Sequence, residues 1–275
     1  MIKHVRRFST YVMLLGWALV SITPLIMLTA AALNTSAVAR RPDDILLMRG
    51  FTLDNFVLVI QTGGIIPLFV NSVVYALCVV VIGVAVSTTI AFGLNKIAAI
   101  ASARIGVVIL CMRYIPYIVI AIPLFTLFVV LGISGSRIGV LIAHLSLVLP
   151  LTTWLVIGFF KDVPYEIEES ALIDGCGPFR VYWSISLPLA RPGVISAAIL
   201  AVIASWNDLL FGVMLGGRES RTIATGVFRW VGTEGQAPDY GVIAAYSLLI
   251  VLPVILFVII TSKYIISGLT QGAVK

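Results

Sequence analysis

The sequence predicts an all-α membrane protein built from six transmembrane helices, and three observations carry the prediction. Hydrophobic residues make up 60% of the 275 and charged residues only 11%, with a mean hydropathy of +1.13, a balance far from that of soluble globular domains. The apolar residues lie in long runs, and a hydrocarbon core of about 30 Å is crossed by a helix of about 20 of them. Six runs meet that length, near 11–33, 66–94, 105–131, 138–160, 192–216 and 241–266, giving one polytopic domain over 1–275. The charges, finally, sit mostly in the segments between the runs.

Lys3, Arg6 and Arg7 stand directly before the first run and place the amino terminus inside, because the first helix usually sets orientation and Lys and Arg decide it. Six spans return the carboxyl terminus to the same side. A multi-pass protein of the cytoplasmic (inner) membrane with both termini cytoplasmic is therefore expected. On that topology Lys3, Arg6, Arg7, Lys96, Arg104, Lys161, Arg180, Arg191, Lys263 and Lys275 are inner, and Arg40, Arg41, Arg49, Arg137, Arg218, Arg221 and Arg229 are outer. Topology accounts for the net charge of +6. The basic residues form no basic helix, so no nucleic acid is expected as a partner.

Residues 1–39 imitate a secretory signal that ends in Ala37-Val38-Ala39. The apolar run from Tyr11 to Leu33 is nevertheless 23 residues long, against about 7–15 for a signal core, so an uncleaved first span is expected. Cys78 and Cys111 fall inside spans and Cys176 in an inner loop, which predicts free thiols and no metal site.

The outer segments run from about Asn34 to Ile65 and from Gly217 to Tyr240, with mixed charges and turn residues. They read either as surfaces for an external partner or as solvated connectors. A third outer turn, Ile133 to Arg137, is short. Inside, Asn95 to Arg104 is brief, whereas about thirty residues follow the fourth span. No internal repeat is present, which weighs against a carrier built from inverted halves.

In that long inner loop, Pro164 suits a helix first turn, Glu166, Glu168 and Glu169 favour the positive end of the dipole, and Gly175 after Asp174 is a stop signal. Tyr165 to Asp174 is thus read as a short helix. Pro178 and Pro188 bracket a second short segment. Ile167 and Ala171 lie one turn apart on one face, with Glu166, Glu169 and Ser170 turned elsewhere. The result is a small helix-turn-helix knob.

Here Glu169, Ala171, Asp174 and Gly175, followed after nine residues by Ile185, Leu187 and Pro188, resemble the EAA loop of ABC importer permeases at that family's spacing. Ser170 and Cys176 stand where the family prefers Ala. Further stretches resemble the carbohydrate, maltose-type inner-membrane subunits over nearly the whole chain. They are Thr52, Asn55 and Phe56 before the second span, Asn71-Ser72 at its start, Trp206-Asn207-Asp208, and the tail Gly268-Leu269-Thr270-Gln271-Gly272-Ala273-Val274-Lys275.

The resemblance implies the type I ABC importer permease architecture, with a cytoplasmic coupling helix that docks in a cleft of an ATPase. Glu168, Glu169, Ala171, Asp174, Gly175, Ile185, Leu187 and Pro188 would form the ATPase-coupling set. Glu169 would accept a hydrogen bond from an ATPase cation, and the apolar side would fill the cleft. The partners implied are a second permease subunit in a heterodimer, an ATPase dimer and an extracytoplasmic substrate-binding protein, besides membrane lipid. No cofactor is expected in this chain, since ATP and Mg would bind the partner ATPase.

Two charges stand in apolar spans, where charge is costly and marks function by default. Asp208 follows Pro192 by about 24 Å of helix and Arg113 follows Arg104 by about 13 Å, which leaves a direct pair about 10 Å short in depth. Trp206, Asn207 and Asp208 read either as lining of a translocation path, hydrogen-bonding sugar hydroxyls, or as a structural contact between helices. Arg113, Tyr114 and Tyr117 are further path candidates, beside a third span that Pro116 and Pro123 interrupt. His144 and Trp154 rank below them.

No G-x-x-x-x-G-K-[ST] segment occurs, so a permease must take its energy from another chain. An ion-driven secondary carrier would need no docking knob. A membrane enzyme would want a cluster of His, Cys or paired carboxylates, and the only histidines are His4 and His144. The expected function is therefore ATP-driven import of a sugar or sugar-like solute, with glycerol phosphodiesters and amino sugars as alternative cargo.

Overall fold

The computed structural model describes residues 2–40, 42–46, 48–62, 64–231 and 238–271, the side chains of residues 2–6, 42–43 and 265–271 excepted. The chain is nearly all helix. In order run α1 (Ile2–Ala32), α2 (Ser36–Ala39), α3 (Pro42–Ile45), α4 (Asp54–Thr62), α5 (Ile65–Leu94), α6 (Ala99–Met112), α7 (Tyr117–Val130) and α8 (Arg137–Lys161). Then come α9 (Tyr165–Ile173), α10 (Pro178–Val181), a π turn (Tyr182–Ser186), α11 (Leu187–Leu189), α12 (Arg191–Trp206), α13 (Leu210–Met214), a 3₁₀ segment (Ile223–Arg229) and α14 (Tyr240–Gln271). The end of the tail, Gly272 to Lys275, and the middle of the last outer segment, 232–237, lie outside the described residues.

Among the described residues four helices, α1, α5, α8 and α14, are long and apolar enough to cross a membrane, and up to six spans result if each of two bent pairs is one span. The third expected span is the α6–α7 pair, whereas the fifth, 192–216, covers α12 and α13, and the first half of the second pair, 178–189, lies in the expected inner loop. Neither span is a continuous helix. The α6–α7 pair bends by 85° at Arg113–Pro116, where Pro116 offers no N–H and its ring clashes with a helical predecessor. Pro123, expected to interrupt the same span, lies within unbroken α7. The segment 178–189 bends by 79° into α12, and α12 itself stops at Trp206, short of the expected 216.

The chain divides into two compact units. The first comprises 1–66 and 226–253 and is organised by two asparagines. Buried Asn34 donates from Nδ2 to the carbonyls of Ala30 (2.7 Å) and Ile45 (2.9 Å) and accepts at Oδ1 from the Gly50 N–H (3.1 Å). Asn55 donates to the carbonyls of Ala32 (2.8 Å) and Asn34 (2.7 Å). Each amide satisfies backbone groups that the end of α1 leaves open. The Ser36 hydroxyl donates to the Asp239 carboxylate, and Arg40 to the Pro238 carbonyl (3.1 Å).

The second unit comprises 67–225 and 254–275, with α8 packed against α6, α7, α12 and α13. Buried hydroxyls join α5 to α8 through Ser87 and Thr152 (2.7 Å) and through Thr153 and Ser87 (3.0 Å), an arrangement that pairs polar groups where water is absent. Asn71 and Ser72 tie the start of α5 to the outer segment. Asn71 donates to the carbonyls of Glu219 (2.8 Å) and Arg221 (3.1 Å), and the Ser72 hydroxyl accepts the Ile223 N–H (2.8 Å). Ser220 donates to the Gly135 carbonyl (2.8 Å), which fastens the same segment to the α7–α8 turn.

Close approach of α12 to α8 rests on Gly193, where a Cβ would stand 2.1 Å from Cγ of Phe159. Gly193→Ala should cost about 1–3 kcal/mol by overpacking. Thermal unfolding of the purified protein in detergent checks this, with a lowered midpoint expected.

Candidate functional site

The loop between α8 and α12 builds the knob. Glu166 and Glu168 sit in the first turn of α9, complementing its dipole, and the helix ends in a Schellman motif. The Cys176 N–H bonds to the Ala171 carbonyl (3.0 Å) and the Gly175 N–H to that of Leu172 (3.1 Å). Gly175 takes φ +84°, which a side chain would strain. Asp174, expected as the last helical residue, is the C-cap.

One face of α9 turns inward. Glu168, with no exposed surface, takes the ammonium of Lys96 on one carboxylate oxygen and the Ser186 hydroxyl on the other. Lys96 comes from the turn after α5, and its ammonium also lies 5.0 Å from the centroid of the Phe92 ring and 5.7 Å from that of Tyr165. A buried carboxylate is tolerated because both oxygens have partners and one partner is a cation.

Ser186 closes the π turn, in which the Leu187 N–H reaches the Tyr182 carbonyl. Pro188 has no N–H for the ordinary helical bond, so a wider turn loses little there. Tyr182 shares a hydrogen bond with Thr88 of α5 (2.9 Å) and packs in a cluster with Phe160, Ala91 and Leu94.

The sequence-predicted coupling set therefore divides. Glu168 and Ala171 are buried, Ile185 and Leu187 half-buried, and Glu169, Asp174, Gly175 and Pro188 exposed. Ile167 and Ala171 do not share an outward apolar face, since Ala171 packs inward while Ile167 is exposed. The outward apolar surface is made instead by Ile167, Leu172, Ile173, Phe179 and Trp183, with Ile173 81% and Phe179 78% exposed.

The second constellation surrounds the break after α12. Trp206 is buried, edge-on to Phe69 at 5.5 Å, and Asn207 is exposed. The buried carboxylate of Asp208 accepts the N–H groups of Gly212 (3.0 Å) and Phe211 (3.4 Å), which starts α13 and explains why the helix does not run on. Its Oδ2 also lies 3.3 Å from Nε2 of His144, whose Nδ1 is 2.8 Å from the Ser205 hydroxyl. Asp208 thus pairs with His144 and not with Arg113. Arg113 and Tyr114 are exposed at the α6–α7 bend, and Tyr117 packs on Phe211 at 6.1 Å.

Sequence reasoning missed Lys96 as a site residue, counting it only as an inner charge. It passed over Ser186 and Ser205 and ranked His144 low. The spacing of His144 and Asp208 carries no local signal, because their contact is made between helices.

Residues 83–266 match the family model described as binding-protein-dependent transport system inner membrane component. The chain belongs to this family. Among relatives of this permease, the trehalose transport system permease protein SugB of Mycobacterium tuberculosis is 29% identical, with 98% of each chain covered. The trehalose/maltose transport system permease protein MalG of Thermococcus litoralis is also 29% identical, over 82% of this chain and 81% of that one. In fold the permease is similar to a chain of a bacterial ABC transporter involved in the import of the acidic polysaccharide alginate. The TM-score is 0.77 at 19% identity, covering 95% of this chain and 96% of that one. The resemblance drawn from the EAA-like loop and the Trp206-Asn207-Asp208 segment is borne out at the level of family and fold.

The division of the loop predicts opposite phenotypes for neighbouring glutamates. Glu168→Ala strands Lys96 and should cost about 2–3 kcal/mol, less than a fully buried pair because Lys96 is partly solvated. Glu169→Lys should leave the melting temperature unchanged and abolish ATP-driven uptake. Thermal unfolding and vesicle uptake of both variants check the pair.

Proposed function

We propose that this permease forms half of the translocation path of an ABC importer for a sugar or sugar-like solute. The reading counts six spans, α1, α5, α6 with α7, α8, α12 with α13, and α14, with both termini cytoplasmic and the knob, through Leu189, on the cytoplasmic side. The observation that carries it is the knob itself. A loop held from within by Glu168 leaves Glu169 and the apolar side chains of Ile173, Phe179 and Trp183 exposed. Exposed apolar surface beside a carboxylate suits a cleft that is apolar at its floor and basic at its edge.

In this reading an ATPase dimer binds ATP and Mg, closes on the knob and moves α8 and α12 through it. This chain makes and breaks no covalent bond. A second, different permease subunit completes the path, and an extracytoplasmic binding protein delivers the solute. Asn207, exposed at the α12–α13 break, supplies amide hydrogen bonds to solute hydroxyls, with Trp206 as a wall behind it. Relatives whose names specify trehalose and maltose support a sugar. Arg113, a cation open at the α6–α7 bend, favours glycerol phosphodiesters as the second reading.

The test is uptake of labelled trehalose and maltose by vesicles holding this permease, its partner permease and ATPase, with binding protein outside. Uptake should require ATP and persist when both proton and sodium gradients are collapsed. Uptake that stops with the gradients while ATP is present would identify a secondary carrier.

A further inference from the structure

His144 is fully buried in the first third of the apolar helix α8, and nothing in the proposed transport cycle uses it. Its imidazole touches both sides of the break that separates α12 from α13. Nδ1 meets Ser205, the penultimate residue of α12, at 2.8 Å, and Nε2 meets Asp208, just past the break, at 3.3 Å. Trp206 and Asn207 lie between these two anchors. On its other side the ring rests 5.5 Å from the ring of Tyr75 on α5.

The polar atoms have few alternatives at this site. Asp208 already accepts two N–H groups of α13, so it fixes the start of that helix as well as facing His144. Against a carboxylate, Nε2 is tolerable only when it carries a proton, since a ring lone pair there would repel the oxygen. Ser205 donating to Nδ1 leaves the proton on Nε2, and a doubly protonated ring leaves one there too. Nε2 makes no formed hydrogen bond at this distance, so it stands as a buried polar atom whose polar neighbour is the Asp208 carboxylate, an electrostatic contact between α8 and the break.

We propose that His144 is the positioning residue of the Trp206–Asp208 turn. From α8 it holds both ends of the break and thereby sets where Asn207 stands. The inference deepens the reading of Asn207 as a solute-contacting residue and rests on it. Because α8 leads directly into the loop that carries the knob, the same ring places the turn under the control of the helix that the ATPase moves.

The test uses the assembled transporter with its binding protein. His144→Leu keeps the volume and removes both polar contacts. It should lower kcat for uptake about tenfold with KM changed less than about twofold, as expected for a group that does not itself touch solute. His144→Gln, which keeps a polar N–H group facing Asp208, should retain most of the activity. Combining His144→Leu with Asp208→Asn should restore uptake above that of His144→Leu alone, because the stranded charge is gone.

A second readout needs no solute. With the three native cysteines replaced, Asn207→Cys should react with a water-soluble maleimide, and His144→Leu should change that rate by more than about threefold while His144→Gln should not. Wild-type uptake by His144→Leu, a double variant that falls by the product of the single losses, or an unchanged labelling rate would overturn the proposal. Should the labelling change as expected while the wild-type transporter carries no sugar, the solute reading fails and the positioning role stands.

Discussion

The buried carboxylate of Glu168 is the constraint on which the rest of the knob depends. Its two oxygens are taken by a cation from the end of α5 and by a hydroxyl from the π turn, so three separate stretches of chain meet at one charge. A charge of this kind does not tolerate partial loosening. Moving Lys96 or Ser186 away leaves a desolvated carboxylate, a cost larger than most single packing contacts. The loop is therefore held to the ends of α5 and α8 as one body, with Tyr182 wedged among Phe160, Ala91 and Leu94. Such a body is suited to the coupling role proposed for it, since its outer face is tied to α5 and α8 through Glu168 and Tyr182.

The same economy of charge appears at the α12–α13 break. Helix breaks in lipid are tolerated where side chains replace the lost backbone bonds. Here Asp208 caps α13, and His144 then meets Asp208, so one break is satisfied by a chain of contacts that ends on α8. The α6–α7 bend differs. Its proline removes a donor, and Arg113 and Tyr114 stand exposed beside it. One break is closed by internal polar groups, and the other presents its polar groups outward.

Much of this was legible in the sequence, for physical reasons that differ by element. Helix existence followed from the length of the apolar runs, and the end of α9 from Gly175, because a positive φ has a residue signature. The loop's family pattern was legible because Glu169, Ala171, Asp174, Gly175, Ile185, Leu187 and Pro188 stand at fixed intervals within one short stretch. What could not be read was direction. Glu168 and Glu169 are chemically identical neighbours, and only a partner 72 positions away, Lys96, makes one of them internal. The depth count that set Arg113 about 10 Å from Asp208 argued against a direct pair, and Asp208 faces His144 instead. The count itself assumed continuous helices, whereas α6 ends at Met112 and α12 at Trp206, beside the charges in question. His144, the actual partner, sits in a third helix with no sequence cue to connect it.

The inward placement of Glu168 is the central claim, and its most direct test is the separation of the Lys96 ammonium and the Glu168 carboxylate in the assembled, ATP-bound transporter. Electron cryomicroscopy of that complex should find the pair within salt-bridge distance, about 4 Å or less, with Glu169 against a basic residue of the ATPase. A Glu168 side chain turned out into the ATPase cleft, with Lys96 left alone, would contradict the account.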